Sequence, residues 1–157
     1  MSTGLTKNNI PMVESNALQL VLASSQLNDL VGKHLSTSLK EKGYEFVTPA
    51  MLNFLSTLEC GVNYGSEIAR NLGVSRQMVA KTVKELCRTG YLEQVSGIGK
   101  QKQILFTKTG ELLMSDSRKI LANLDSKLFD VLGEAGIKST TSSLLSINDL
   151  LKAPNEE

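Results

Sequence analysis

Four long polar side chains recur at helical spacing near the middle of the chain, and three are cationic: Gln77, Lys81, Lys84 and Arg88. At about 100° per residue they fall within about 60° of one another on one side of a helix. Cations neutralise phosphates, and a side-chain amide can form paired hydrogen bonds with a base edge. This spacing therefore favours binding of a polyanion.

The opposite side of the same predicted helix is apolar and consists of Val79, Val83 and Leu86. A shorter helical pattern precedes it, and we expect that pattern to bury Ile68, Ala69 and Leu72. Gly73 suits a turn between the two helices, and Ser75 is a suitable N-cap for the second. The pair predicts a rigid support that holds the cationic side outward.

A change from helical to strand-like periodicity follows Gly90. The ranges 91–95 and 101–106 read as two strands joined by SGIGK, a turn with two glycines. Lys100 and Lys102 lie on the tip and the return strand, where the glycines allow close approach to a phosphate backbone or a minor groove. Helix, turn, helix and basic hairpin describe a winged helix-turn-helix.

The flanking segments predict further helices and an irregular start. Residues 1–13 lack periodicity, residues 14–42 form one long helix that Gly43 ends, and Thr48-Pro49 caps a second helix that stops near Gly61. A fifth helix opens at 106–107 and runs to about Gly133. The sequence GIKSTTSS, residues 136–143, then interrupts it as a linker or cap cluster, before a last short helix closed by Pro154.

Charge is unevenly distributed along the 157 residues, although the net charge is only +1. Residues 66–110 carry eight Lys or Arg and three acids, 8 − 3 = +5, and the remainder carries 9 − 13 = −4. The local excess is the pattern expected of a nucleic-acid footprint. With 41% hydrophobic residues, the chain can bury a core.

At this point the sequence resembles the MarR family of bacterial transcription regulators, through TPAMLNFLSTLE, SEIARNLGVSRQMVAKTVKELCRTGYLE and FTKTG. The resemblance implies a mainly α fold with a small β-hairpin wing, flanked by dimerisation helices. It divides the chain into a flexible arm (1–13), an N-terminal dimerisation helix (14–46), the DNA-binding winged domain (47–110) and C-terminal dimerisation helices (111–157). It also implies a homodimeric repressor or activator, controlled by a small aromatic or anionic effector bound between the dimer helices and the winged domain. Cys60 and Cys87 lack the spacing of a disulfide framework and no signal-peptide pattern is present, so we expect a cytoplasmic protein.

The resemblance assigns double-stranded DNA as the partner and places two groups of residues on it. The groove-facing group is Ser75, Arg76, Gln77, Ala80 and Lys81, and the phosphate and wing group is Lys84, Arg88, Lys100, Gln101 and Lys102. The family's wing usually carries an acidic residue followed by arginines, whereas SGIGKQKQ has neither Asp nor Arg. We therefore expect weaker minor-groove readout from this wing.

Other classes of function are weighed against this one. A winged helix can serve as a protein-interaction module, and Cys60 or Cys87 could act as a redox sensor. The single histidine, His34, lacks a nucleophile or second metal ligand, and no glycine-rich phosphate loop is present. The sequence therefore predicts no enzyme activity, cofactor or metal site. No apolar run approaches the ~20 residues of a membrane span.

Overall fold

A computed structural model of the protein describes residues 7–97 and 99–152. The chain divides into two compact units, Met1–Met114 and Ser115–Glu157. The described residues form five helices and one antiparallel hairpin, which confirms the expected mainly α fold with a winged helix. Within those residues, no helix is both long enough and apolar enough to cross a membrane.

The first helix, α1, spans Asn16–Glu41. Ser15 caps it by accepting a hydrogen bond from the Leu18 amide at 3.4 Å, and the chain leaves it through Gly43 at φ +96°. Its C-terminal half is buried against α2, where a Cβ at Gly32 would lie 3.1 Å from the Pro49 Cβ. Glycine thus permits a close crossing of the two helices.

The second helix, α2, spans Pro49–Ser56, with Thr48 as N-cap and Pro49 in the first turn as predicted. The predicted end near Gly61 is wrong. Thr57 already closes the helix, and its hydroxyl donates to the Phe54 carbonyl at 2.7 Å. The Ser56 hydroxyl donates to the Asn53 carbonyl at 2.7 Å, so side chains satisfy the last carbonyls before Gly61.

Two helices form the predicted helix-turn-helix, α3 over Gly65–Leu72 and α4 over Arg76–Arg88. Gly73 adopts the left-handed conformation at φ +65°, which explains why glycine suits this turn. Ile68 and Ala69 are buried as expected. The prediction that Leu72 is buried is wrong, because its side chain at the end of α3 remains 36% exposed.

The wing consists of β1, Leu92–Ser96, and β2, Lys102–Phe106, paired in an antiparallel register from Leu92 opposite Phe106 to Ser96 opposite Lys102. The loop before α3 adds a short bridge, in which the Asn63 and Ile104 backbones exchange hydrogen bonds at 3.0 and 2.8 Å. Ile98, at the centre of the predicted turn, lies outside the described residues. The wing is thus tied to the loop between α2 and α3.

The last helix, α5, spans Lys108–Lys152, and its backbone departs from helical geometry at Gly133. The prediction of a linker or cap cluster at 136–143 is wrong, because this segment is helical. Hydroxyls of Thr140, Ser143 and Ser146 donate to carbonyls four residues earlier at 2.8–3.0 Å, so these residues stay within the helix. The predicted stop at Pro154 lies outside the described residues, as do residues 1–6 of the predicted arm.

The core of the unit Met1–Met114 collects apolar side chains from every one of its elements. Its largest fully buried side chains are Leu39, Val47, Leu55, Val79, Val83, Leu92 and Leu113, and Ile68 of α3 and Ile104 of β2 are also buried. Ser36 is also buried, and its hydroxyl donates to the Val47 carbonyl at 3.0 Å. This core packs against the apolar side of α4 and fixes the orientation of that helix within the unit.

Candidate nucleic-acid interface

The two sides of α4 differ as the sequence predicts. Val79 and Val83 are 1% exposed and Leu86 is 2% exposed, whereas Gln77, Lys81, Lys84 and Arg88 are all exposed. Burial of three branched side chains contributes several kcal/mol, at about 1.5–3 kcal/mol each. The polar side is therefore presented on a helix whose rotation about its own axis is fixed by packing.

Ser75 acts as the N-cap of α4, because its hydroxyl accepts a hydrogen bond from the Met78 amide at 3.1 Å. The first turn that follows carries Arg76 and Gln77, both exposed. A capped first turn is ordered, and in helix-turn-helix proteins this turn is the part that meets base edges. The Ser75 hydroxyl therefore already caps the helix, and its second lone pair can accept one further hydrogen bond.

The structure brings four of the predicted residues around one cleft of about 260 Å³ between α4 and the wing. These residues are Arg76, Ala80, Gln101 and Lys102. Ala80 keeps the cleft open because its side chain is short. Lys100 lies beside them in the loop between β1 and β2 and is exposed.

The base of the wing is held by one buried amide. The Asn63 side chain is 5% exposed; its Oδ1 accepts from the Glu59 amide at 2.8 Å, and its Nδ2 donates to the Glu59 carbonyl at 3.0 Å. Nδ2 also lies 3.4 Å from the carbonyl oxygen of Ile104 in β2. Sequence reasoning missed Asn63, since an isolated Asn in a loop carries no distinctive periodicity.

Arg88 differs from the other cations of the stripe because its guanidinium is already engaged. Nε and Nη2 donate to the two carboxylate oxygens of Glu85 at 3.0 and 2.5 Å, and the guanidinium carbon lies 5.5 Å from the centre of the Phe46 ring. The hydrogen bond and the charge of Arg88 lower the pKa of Glu85, and those of Glu85 raise the pKa of Arg88. Both groups are therefore charged at neutral pH.

An apolar groove of about 670 Å³ lies on the other flank of α4. It is lined chiefly by Phe46, Met51, Phe54 and Met78, with Lys81 and Glu85 among its polar residues. Met78 is 57% exposed in the first turn of α4, beside Gln77. The helical spacing assigned Met78 to neither side, so sequence reasoning missed it.

The two cysteines are free thiols with different surroundings: Cys60 is exposed and Cys87 is half-buried. Burial, and to a lesser extent the negative charge of Glu93, raise the pKa of Cys87. A raised pKa reduces the thiolate fraction, and the thiolate is the form that reacts with oxidants.

Comparisons with solved structures place this geometry among known folds, while no protein-family profile and no curated protein matches the chain. FabT from Streptococcus pneumoniae, solved in complex with DNA, aligns over 87% of this chain and 98% of its own at 16% identity and a TM-score of 0.72. A MarR transcriptional regulator from Methanosarcina mazei Go1 aligns over 89% and 100% at 19% identity and a TM-score of 0.70. A MarR variant from E. coli, complexed with operator DNA, aligns over 82% and 91% at 16% identity and a TM-score of 0.65. The likeness establishes the fold, and the chain has the winged-helix fold of MarR-family transcriptional regulators.

Proposed function

We propose that the protein is a sequence-specific DNA-binding transcription regulator that reads a pseudo-palindromic operator as a homodimer. The observation that carries this proposal is the exposed stripe Gln77, Lys81 and Lys84 on a helix whose other side is buried. A helix of this kind fits the major groove, which is about 12 Å wide. The DNA complexes solved for two proteins of the same fold support the choice of ligand.

Each predicted residue then has a role set by its chemistry. Gln77 pairs with an adenine edge, and Lys81 donates to guanine acceptors or to a phosphate. Ser75, Arg76 and Ala80 line the entry of the helix into the groove, and Lys84 neutralises a phosphate. Lys100, Gln101 and Lys102 hold the backbone beside the adjacent minor groove, so that the wing supplies charge more than sequence readout.

Exposed apolar surface supports the homodimer. In the first four turns of α1, the exposed apolar side chains include Leu18, Val21, Leu22, Leu27 and Leu30, each more than half exposed. The unit Ser115–Glu157 exposes a second set: Leu128, Phe129, Val131, Leu132, Leu145, Leu150 and Leu151. Surfaces of this kind mark interfaces, and a dimer spaces two recognition helices about one helical turn of DNA apart.

A selection of duplexes from a random DNA library by the reduced protein tests the proposal. We expect inverted half-sites about ten base pairs apart. Gln77→Ala should relax the base preference at one position by about 1–3 kcal/mol, whereas Lys102→Ala should weaken all duplexes alike. The matched control is Lys7→Ala, which changes an exposed lysine before α1, outside the stripe, the wing and the exposed apolar surfaces, and should leave selection unchanged.

The same experiment separates this function from a protein-interaction module. A DNA reader should lose affinity with a log-log salt slope near −0.9 per phosphate neutralised. An interaction module would retain no duplex at any salt concentration and would enrich no sequence. That outcome would overturn the proposal.

We further propose that the regulator is a cytoplasmic repressor released by a small aromatic or anionic effector. The apolar groove beside α4 has the chemistry for an aromatic acid, because Met and Phe side chains line it and Lys81 can meet a carboxylate. A ligand bound there would neutralise Lys81 and compete with DNA for the same cation. A thermal-shift screen of aromatic acids, repeated with operator, tests this; hits that leave operator affinity unchanged would contradict it.

A redox mechanism through cysteine predicts loss of DNA binding on peroxide treatment and recovery with thiol. The raised pKa of Cys87 weighs against that mechanism for this thiol. We propose the effector mechanism, and the peroxide test on a Cys60→Ser variant decides whether the exposed thiol contributes.

A further inference from the structure

We infer that Arg88, although it lies on the cationic stripe, is a positioning residue rather than a phosphate contact, and that Glu85 is the residue that withdraws its charge from DNA. The inference rests on the proposed DNA-binding function and refines the set of residues that carry it. It concerns three residues, Phe46, Glu85 and Arg88, which we call the Arg88 cluster.

Arg88 lies at the opposite end of α4 from the turn that carries Gln77. Arg88 is the last residue of the helix, eleven residues after Gln77. At 1.5 Å per residue the two Cα atoms are about 17 Å apart along the helix axis. When the first turn of α4 meets base edges, the other end of the helix is therefore the part most distant from the groove floor.

Glu85 also balances the charge of Arg88. Two N–H groups of Arg88 donate to both carboxylate oxygens of Glu85, so a phosphate that approaches the guanidinium also approaches a carboxylate. The pair has no net charge. Counterion release depends on the positive charge brought to the phosphates, and a neutral pair contributes almost none of it. Lys84 is exposed on the same stripe, and the described residues include no ion pair for it.

Arg88 also contacts the connection between α1 and α2. The guanidinium lies over the ring of Phe46, a bulky residue with φ +58°, a conformation that non-glycine residues rarely adopt. The backbone on each side of Phe46 is fixed: Tyr91 Oη donates to the Glu45 carbonyl at 2.5 Å, and Ser36 Oγ donates to the Val47 carbonyl. Such a conformation persists only when its surroundings determine it. Arg88 thus holds the α1–α2 connection against the end of α4.

The test is the salt dependence of operator binding for variants of the full-length protein. Lys84→Gln should make the slope of log K against log salt shallower by about 0.9 per subunit. Arg88→Gln alone removes a cation but leaves the Glu85 carboxylate unpaired, so the informative comparison removes both charges of the pair together. Glu85→Gln should free Arg88 and steepen the slope by about 0.9 per subunit, and the Glu85→Gln/Arg88→Gln double variant should return to the wild-type slope.

Hydrogen exchange provides a readout of the positioning role. Arg88→Gln and Phe46→Leu should each accelerate exchange of the amides in residues 44–47. The Arg88→Gln/Phe46→Leu double variant should exchange little faster than either single variant. The inference is overturned if the Glu85→Gln/Arg88→Gln double variant flattens the salt slope as much as Lys84→Gln does. It is also overturned if Glu85→Gln leaves the slope unchanged. Failure of the proposed function looks different, since then neither the wild type nor any variant would show a salt slope with duplex.

Discussion

Removal of the Asn63 side chain should loosen the wing by an amount that follows from its hydrogen bonds. Asn63→Ala deletes the two short bonds to the Glu59 backbone, at 2.8 and 3.0 Å, and the longer contacts to the Gly61 and Ile104 carbonyls. At about 1 kcal/mol for each short bond, we expect a loss of about 2 kcal/mol in the free energy of unfolding. In a chain of this size that corresponds to a fall of roughly 4–8 °C in Tm.

Urea unfolding followed by circular dichroism measures this loss. The midpoint should fall while the m value stays constant, because the variant exposes the same surface on unfolding. Asn71→Ala is the matched control, since Asn71 is exposed on α3 and its truncation should change stability by less than about 0.5 kcal/mol. Operator binding at a temperature where both proteins are folded should also weaken, because the loop that forms the backbone bridge to β2 loses the side-chain hydrogen bonds that order it.

A carboxylate at the same position sharpens the prediction. In Asn63→Asp the new group would replace a donor that faces the Glu59 and Gly61 carbonyl oxygens. Burial would raise its pKa above that of the unfolded chain, so the folded state would bind the proton more tightly and stability would fall as pH rises through that interval. The reasoning is refuted if Asn63→Ala behaves like Asn71→Ala, or if Asn63→Asp is equally stable at pH 4 and pH 7.

Three further perturbations have defined outcomes. Met78→Ala should reduce the preference for thymine at one operator position, because an exposed apolar side chain in the first turn of α4 can contact a thymine methyl group; unchanged selection would exclude that contact. Gly110→Ala should destabilise the protein by about 1–3 kcal/mol, since its Cβ would lie 2.1 Å from the Tyr91 carbonyl oxygen, whereas Gly61→Ala has open space and should be nearly neutral in the same urea titration. Iodoacetamide should alkylate Cys87 more slowly in the folded protein than in urea at pH 8, because its pKa is raised, and the same shift makes unfolding easier as pH rises through about 9; equal rates by mass spectrometry would contradict this.

The winged helix could be predicted from sequence because its signals are local. Gly73 at a left-handed position, Ser75 as a cap and the alternation of Val79 and Val83 with Lys81 each act within a few residues. The wrong predictions concern places where long-range or competing interactions determine the local structure. The α2 helix ends at Ser56, five residues before Gly61, where two hydroxyls bond to its last carbonyls. Similar bonds further along the chain lie inside α5, so such a hydroxyl does not by itself indicate where a helix ends.

In the candidate site, too, local features could be predicted from sequence and long-range contacts could not. Periodicity alone placed Gln77, Lys81 and Lys84 on an exposed side of α4, and the structure agrees with that exposure. It could not reveal that Arg88 is paired with Glu85 and stacked on Phe46, because Phe46 lies 42 positions earlier in the chain. Contacts over such distances depend on how helices cross, and a single sequence does not encode that crossing in any short pattern.

The crossing of α1 over α2 at Gly32 and Pro49 gives the first helix a mechanical property. Its C-terminal half is clamped within the unit that carries α4, while about half of its 26 residues extend beyond the clamp. At 1.5 Å per residue the whole helix is about 39 Å long, so a tilt of about 5° displaces one end relative to the other by about 3 Å. The missing Cβ at Gly32 thus places the pivot of α1 at its crossing with Pro49. The stiffness of α1 determines how much of a movement at one end of the helix reaches the other end.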